Sequence, residues 1–199
     1  MEIIFATGNR HKLQEAQQIL GNNYTLKTPA DFGITEEIPE DADTIEGNAI
    51  QKVQYIWNKV HMPCFADDTG LFVDALGGAP GVISARYAGE GKNAQDNMVK
   101  LLNEMDGKTE RKACFRCVIA LIIDSEPTLF EGKVDGTITC APSGNGGFGY
   151  DPIFAPEKYG GKLTFSKLTA SQKNEISHRG DAMRKLAQFL KEICTDTIK

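Results

Sequence analysis

The chain has 199 residues, enough for one substantial core and short for two independent domains. Hydrophobic residues make up 41% and charged residues 25%, the proportions of a soluble globular protein. A formal net charge of −5 argues against a non-specific nucleic-acid or anionic-membrane partner, yet it leaves room for a local basic pocket that takes a small anionic ligand.

Ile3 to Ala6 reads as a strand that ends at once in Thr7-Gly8-Asn9. That run is too short for a signal peptide or a membrane span, so a cytoplasmic protein is expected. Asn9 is placed to cap a helix whose Leu13, Ala16 and Leu20 fall at helical spacing before Gly21 stops it. An extended stretch from Tyr24 to Lys27 then leads into the acidic loop Glu36 to Asp43. A second helix is expected from about Thr44 to Val60, with Ile45, Ala49, Val53, Ile56 or Trp57, and Val60 as its apolar stripe, and with Asp43 and Glu46 resembling a capping box.

The segment Phe65-Ala66-Asp67-Asp68-Thr69-Gly70-Leu71 places two adjacent carboxylates at the end of a short apolar run, where a turn signal follows. Adjacent carboxylates repel, and burying either one unpaired costs several kcal/mol, so something positive is expected to answer them. Three readings compete. The pair can sit at a solvated strand-to-turn junction, with Asp68 capping the turn. Asp68-Thr69-Gly70 can be an aspartic-protease triplet, but that chemistry needs a second carboxyl sharing its proton, and no second copy occurs. Or the carboxylates hold Mg²⁺ and activate water, which implies a phosphorylated substrate.

Downstream, Gly77 to Gly81 reads as a loop and Asn93 to Met105 as a helix. Two long strands follow, about Lys112 to Ile123 and Thr128 to Cys140, spaced as a hairpin. Cys114 and Cys117 lie within the first of these, where their side chains point to opposite faces, so they read as buried structural thiols. The five cysteines are scattered and only His11, His61 and His178 are available, so no zinc site is expected. A glycine-rich loop from Ser143 to Gly149 precedes a C-terminal helical region that starts near Ser171 or Ser177. The whole is expected to be an α/β fold with a mixed sheet and helices on its faces.

Phosphate-holding groups are sought at the first strand-to-helix turn, Thr7-Gly8-Asn9-Arg10-His11-Lys12, where helix N–H groups and the helix dipole attract anions; a plain connection explains the same residues. Lys52 follows Asn48 by one helical turn and lies off the apolar stripe, so it reads by default as solvated. Phe148-Gly149-Tyr150-Asp151 can stack on a planar base and hydrogen-bond its edge, or it can be a flexible turn. Ser177-His178-Arg179, with Lys173 upstream, offers donors to an oxygen-rich partner; alternatively Ser177 caps a helix and the basic residues face water.

Taken together, Ala6-Thr7-Gly8-Asn9-x-x-Lys12, Ala66 to Leu71, Gly77 to Gly81 with Ser84-Ala85-Arg86-Tyr87, Gly146 to Phe154, and Ile176 to Gly180 resemble the motifs of the inosine/xanthosine triphosphate pyrophosphatases, in the family's order over nearly the whole chain. One departure is Thr69, where many members have Ser, and it keeps the hydroxyl. The resemblance implies a single two-lobed α/β domain over residues 1–199, with a long mixed sheet, a cleft between the lobes and a homodimeric state. It implies Mg²⁺-dependent hydrolysis of non-canonical purine nucleoside triphosphates to monophosphate and pyrophosphate. Asp68 would be the base and a metal ligand with Asp67 in support, and Glu40 the second ligand. Thr7, Gly8, Asn9, Arg10, His11, Lys12, Lys52 and Thr69 would hold the triphosphate. Phe148, Gly149, Tyr150, Asp151, Lys173, His178 and Arg179 would hold the nucleoside. A non-catalytic nucleotide-binding module is the alternative, which the acidic residues disfavour. A haloacid-dehalogenase-type phosphatase wants a spacer that Asp67-Asp68 lacks.

Overall fold

The computed structural model describes residues 1–196, with side chains through residue 193. Seven strands, β1 (Glu2–Phe5), β2 (Thr25–Lys27), β3 (Cys64–Val73), β4 (Pro80–Gly81), β5 (Lys112–Ile122), β6 (Thr128–Ile138) and β7 (Phe154–Pro156), form one sheet. Their order is β2-β1-β3-β5-β6-β7, with β4 on β3. The β1 pairs with β2 and β3 are parallel, and the β3–β4 and β6–β7 pairs are antiparallel, so the sheet is mixed. Five α-helices accompany it: α1 (Arg10–Leu20), α2 (Ile45–Val60), α3 (Ala94–Glu104), α4 (Ala170–Ile176) and α5 (His178–Asp196). No helix among the described residues is long and apolar enough to cross a membrane.

The chain divides into two compact units. The first comprises residues 1–68, 117–132 and the described residues from 179 onward, and the second residues 69–116 and 133–178. In the first unit, alternate residues of the central strands (Ile3 and Phe5, Phe65, then Cys117, Ile119 and Leu121) pack with Ala16 and Leu20 of α1 and with Met183, Leu186 and Leu190 of α5. Phe5 and Phe65, paired in register, stack with ring centroids 4.4 Å apart. The opposite face of β3 meets α2, where the Cys64 thiol donates to the Val53 carbonyl. The buried stripe Ile45, Ala49, Val53 and Ile56 is the one that helical spacing predicts. In the second unit, Leu71 and Val73 pack with Met98 and Leu101 of α3 and Met105 at its C-cap, with Phe115 of β5 and with Phe154 of β7.

Local readings need five corrections. Thr69-Gly70 does not end a strand, because β3 runs on to Val73. The glycine is there for space: a Cβ at Gly70 would lie 2.7 Å from the Gly81 carbonyl oxygen of β4 and 2.8 Å from the Phe72 ring. The α2 cap is Thr44, whose hydroxyl accepts from the Gly47 amide, rather than Asp43 with Glu46. Part of the Gly77–Gly81 segment is strand β4. The C-terminal region is two helices, since Thr169 and Gln172 form a capping box for α4 and Ser177 closes that helix before α5 begins. Of the two thiols on β5, Cys117 is buried and Cys114 is only half-buried.

Gly70→Ala is expected to cost about 2 kcal/mol, because its methyl meets a backbone carbonyl that has no rotamer to move to. A denaturant melt that leaves the midpoint unchanged would contradict this account of the β3–β4 contact.

Candidate active site

The site in the first unit follows from the pleat of β3. Successive side chains of a strand point to opposite faces, so Asp67 shares a face with Phe65 and Asp68 shares one with Cys64 and Ala66. Both carboxylates are buried. Asp67 accepts from Lys12 Nζ of α1 at 2.9 Å and from Arg179 Nε of α5 at 3.0 Å. The Cys117 thiol lies 3.9 Å from the same carboxylate. Arg179 is 2% exposed and also donates to Glu15 Oε2 at 2.7 Å. Burial alone would push the Asp67 carboxyl up, but the neighbouring Lys12 and Arg179 cations outweigh it and hold the group below the usual carboxylate range.

Asp68 looks the other way, toward α2. Its Oδ1 accepts from Lys52 Nζ at 2.9 Å, and its Oδ2 accepts from Asn48 Nδ2 at 3.3 Å. The same Lys52 ammonium donates to Glu40 Oε1 at 2.8 Å. Burial pushes the Asp68 carboxyl above its ordinary range against the pull of Lys52. For Lys52, burial favours the neutral amine, but Asp68 and Glu40 outweigh it and raise the group above the usual lysine value. Lys52 is therefore no solvated lysine; it is 3% exposed and held between two carboxylates. The sequence-level expectation that positive charge must answer the carboxylate pair is met by side chains on both faces.

At the β1–α1 turn, the Asn9 side chain caps α1 by accepting from the His11 and Lys12 amides, and the Thr7 hydroxyl accepts from the Asn9 amide. Arg10 and His11 are exposed. A Cβ at Gly8 would meet nothing within 4 Å, so the fold itself does not require glycine there.

In the second unit, the glycine-rich loop is tied down rather than flexible. Gly146 N–H donates to the Ser166 carbonyl at 3.1 Å, and Ser166 Oγ donates back to the Gly146 carbonyl at 2.5 Å. Asp151 is buried and accepts from the Phe148 amide and from Lys173 Nζ, each at 2.8 Å. Gly147, at φ +74°, faces that carboxylate so closely that a Cβ would lie 2.1 Å from Asp151 Oδ2. Tyr150 is buried too and donates to the Ser84 carbonyl, so the half-buried ring of Phe148 is the aromatic left for stacking. Lys173 Nζ sits 4.4 Å from the centroid of that ring. His178 is buried and stacked on Phe115 at 4.6 Å, so neither it nor Arg179 faces water. Thr69 and Gly149 are half-buried.

Thus Lys12, Asp67 and Arg179 come together, as do Glu40, Lys52 and Asp68, and Phe148, Asp151 and Lys173. Reading the sequence missed Glu15, and it noted Asn48 one helical turn before Lys52 without giving it a role. Spacing offered a signal for each: Glu15 lies three residues from Lys12 and Asn48 four from Lys52, so each pair shares a helix face.

A model described as the Ham1 family matches residues 3–189. A dITP/XTP pyrophosphatase of Flavobacterium psychrophilum is 50% identical over 191 residues, covering 96% of this chain and 100% of its own. One from Bacillus subtilis is 47% identical over 193 residues, covering 95% and 96%. Among solved structures, the Ham1 protein of Staphylococcus aureus superposes with a TM-score of 0.87 at 38% identity, over 96% of this chain and 99% of that one. A HAM1 protein from Coxiella burnetii does so with a TM-score of 0.88 at 36% identity, over the same shares.

Asp67→Asn is expected to lower stability by about 3 kcal/mol, because it leaves the buried Arg179 without its charged partner on β3. Urea unfolding checks this, and a change below about 1 kcal/mol would show that Glu15 alone satisfies the guanidinium.

Proposed function

The chain belongs to the Ham1 family, and on that premise we propose how it works as a dITP/XTP pyrophosphatase. The observation that carries the reading is the convergence of Glu40, Lys52 and Asp68, which sets a buried base and a cation beside each other on opposed elements. In this account water attacks the α-phosphorus and the α–β anhydride bond breaks. The products are the nucleoside monophosphate and pyrophosphate. Asp68 orients the water and takes its proton, a role suited to a carboxyl lifted above its ordinary range. Lys52 and Lys12, held by carboxylates on the two faces of β3, stabilise the negative charge that grows on the leaving oxygens.

Glu40 and Asp68 offer hard oxygen donors, and both already point at one cation, the Lys52 ammonium. That donor set fits Mg²⁺, which is characteristically bound through one or two carboxylates plus substrate phosphates. Glu40 and Asp68 would hold it, and it would neutralise phosphate charge and lower the pKa of bound water.

The β1–α1 turn, with Thr7, Gly8, Asn9, Arg10 and His11, receives the triphosphate, and Thr69 adds a hydroxyl. Phe148 stacks on the base, with Gly149 letting the backbone turn beside it. Asp151 holds Lys173 over the ring, and Tyr150 and His178 brace the loop and the helix end from within the second unit. Arg179 holds Asp67, and through it Lys12. Donors aimed at the oxygen on carbon 6 of hypoxanthine or xanthine would face an amino group in adenine, which can discriminate by about 10⁴-fold. The proposal includes a homodimer working in the cytoplasm and a single domain, the last supported by one family model spanning residues 3–189.

With Mg²⁺, inosine and xanthosine triphosphates should yield monophosphate and pyrophosphate, and adenosine triphosphate should be left almost intact; chromatographic separation of the products decides. Diphosphate with phosphate, or equal turnover of adenosine triphosphate, would overturn the chemistry or the base pocket respectively. Asp68→Asn should lower kcat by at least about 10²-fold. Gly8→Ala should raise KM by about tenfold without changing the melting temperature, since its methyl has open space in the fold and none beside a phosphate.

A further inference from the structure

Asn48 is 2% exposed and makes two contacts that fix its amide. The Ala42 N–H donates to its Oδ1 at 2.9 Å. A backbone N–H can only donate, so that contact settles which end of the amide faces the loop and turns Nδ2 toward Asp68 Oδ2, 3.3 Å away. Lys52, one helical turn later, holds the other oxygen of the same carboxylate at 2.9 Å. Two side chains on one face of α2 therefore take one carboxylate oxygen each, which sets both the position and the rotation of the Asp68 carboxyl plane.

The same helix also secures the loop that carries Glu40. Ala42 is tied through Asn48. Asp41 is tied through Gln51, which accepts from its amide at 3.1 Å and donates to its carboxylate at 2.5 Å. Gln51 has no contact with Asp68 among these bonds, so the two residues share the loop and differ at the carboxylate.

We infer that Asn48 is a positioning residue for the hydrolysis: its amide holds the Asp68 carboxylate in the rotation needed to orient the attacking water. The inference rests on the reading of Asp68 as the base. Asn48→Ala should lower kcat for inosine triphosphate by about 10–100-fold, the range expected when a reacting group is misplaced by an ångström or less. KM, and the affinity for an inosine triphosphate analogue with a methylene group between the α and β phosphorus atoms, should change by less than about threefold. Gln51→Ala, which loosens the same loop without touching Asp68, should lower kcat at least about threefold less than Asn48→Ala does.

Asn48→Leu serves if the alanine variant does not fold, because it fills nearly the same volume and removes the donor to Asp68 without adding a buried charge. A kcat unchanged in both Asn48 variants would overturn the inference. So would a loss confined to KM and analogue affinity, or an equal kcat loss in Gln51→Ala, since either would mean that Asn48 acts only through the loop. A wild-type chain that binds the analogue and turns over no triphosphate would instead overturn the reading of the reaction, and this inference with it.

Discussion

Everything in the first unit depends on the way the pleat of β3 separates two neighbouring carboxylates. Side by side in sequence, Asp67 and Asp68 leave the strand on opposite faces, and each enters a buried environment where an unpaired charge costs several kcal/mol. One face is covered by α1 and α5, which supply Lys12 and Arg179. The other is covered by α2, which supplies Lys52 and Asn48. The helices thus meet the sheet through ion pairs as well as through apolar stripes.

This arrangement has a consequence for a phosphate ligand. Four carboxyl groups (Glu15, Glu40, Asp67 and Asp68) surround three cations (Lys12, Lys52 and Arg179). The lysines are fixed in place before any ligand arrives, which removes the entropic cost of gathering flexible side chains around it. The acidic excess, however, repels a polyanion. Under the proposed reading a triphosphate accompanied by a divalent cation would meet both demands, because the cation would offset the carboxylates while the lysines would meet the phosphate oxygens.

How far the sequence discloses this architecture depends on the range of each interaction. The α2 stripe, the Asn9 cap and the neighbouring long strands β5 and β6 are local patterns, and each is legible from spacing and turn residues. The burial of Lys52 and Arg179 is not, since their partners lie 16 and 112 residues away and nothing in the flanking residues marks them. A lysine off an apolar stripe reads as solvated until the strand that opposes it is known. Gly70 misleads for a related reason. Glycine commonly punctuates chains, but here it accommodates β4, and only the β3–β4 pairing shows that. The resemblance of ordered motifs points to Asp68 without indicating that its neighbour Asp67 belongs to another face, or that Tyr150 and Asp151 turn inward.

The ionic network is better explained by chemistry than by stability. Buried ion pairs often contribute no more than apolar residues of similar volume, because desolvation consumes most of the Coulombic gain. The Asp67 cluster borders the apolar core of the first unit, on the same strand face as Phe65 and beside Cys117, where a packed hydrocarbon side chain would serve the fold at least as well. Its members are also linked in a chain: Glu15 holds Arg179, Arg179 holds Asp67, and Asp67 holds Lys12 beside the β1–α1 turn. A chain of fixed charges that ends at a helix N-terminus with an open backbone would suit the proposed presentation of the Lys12 ammonium to a phosphate. Core stability alone would not require it.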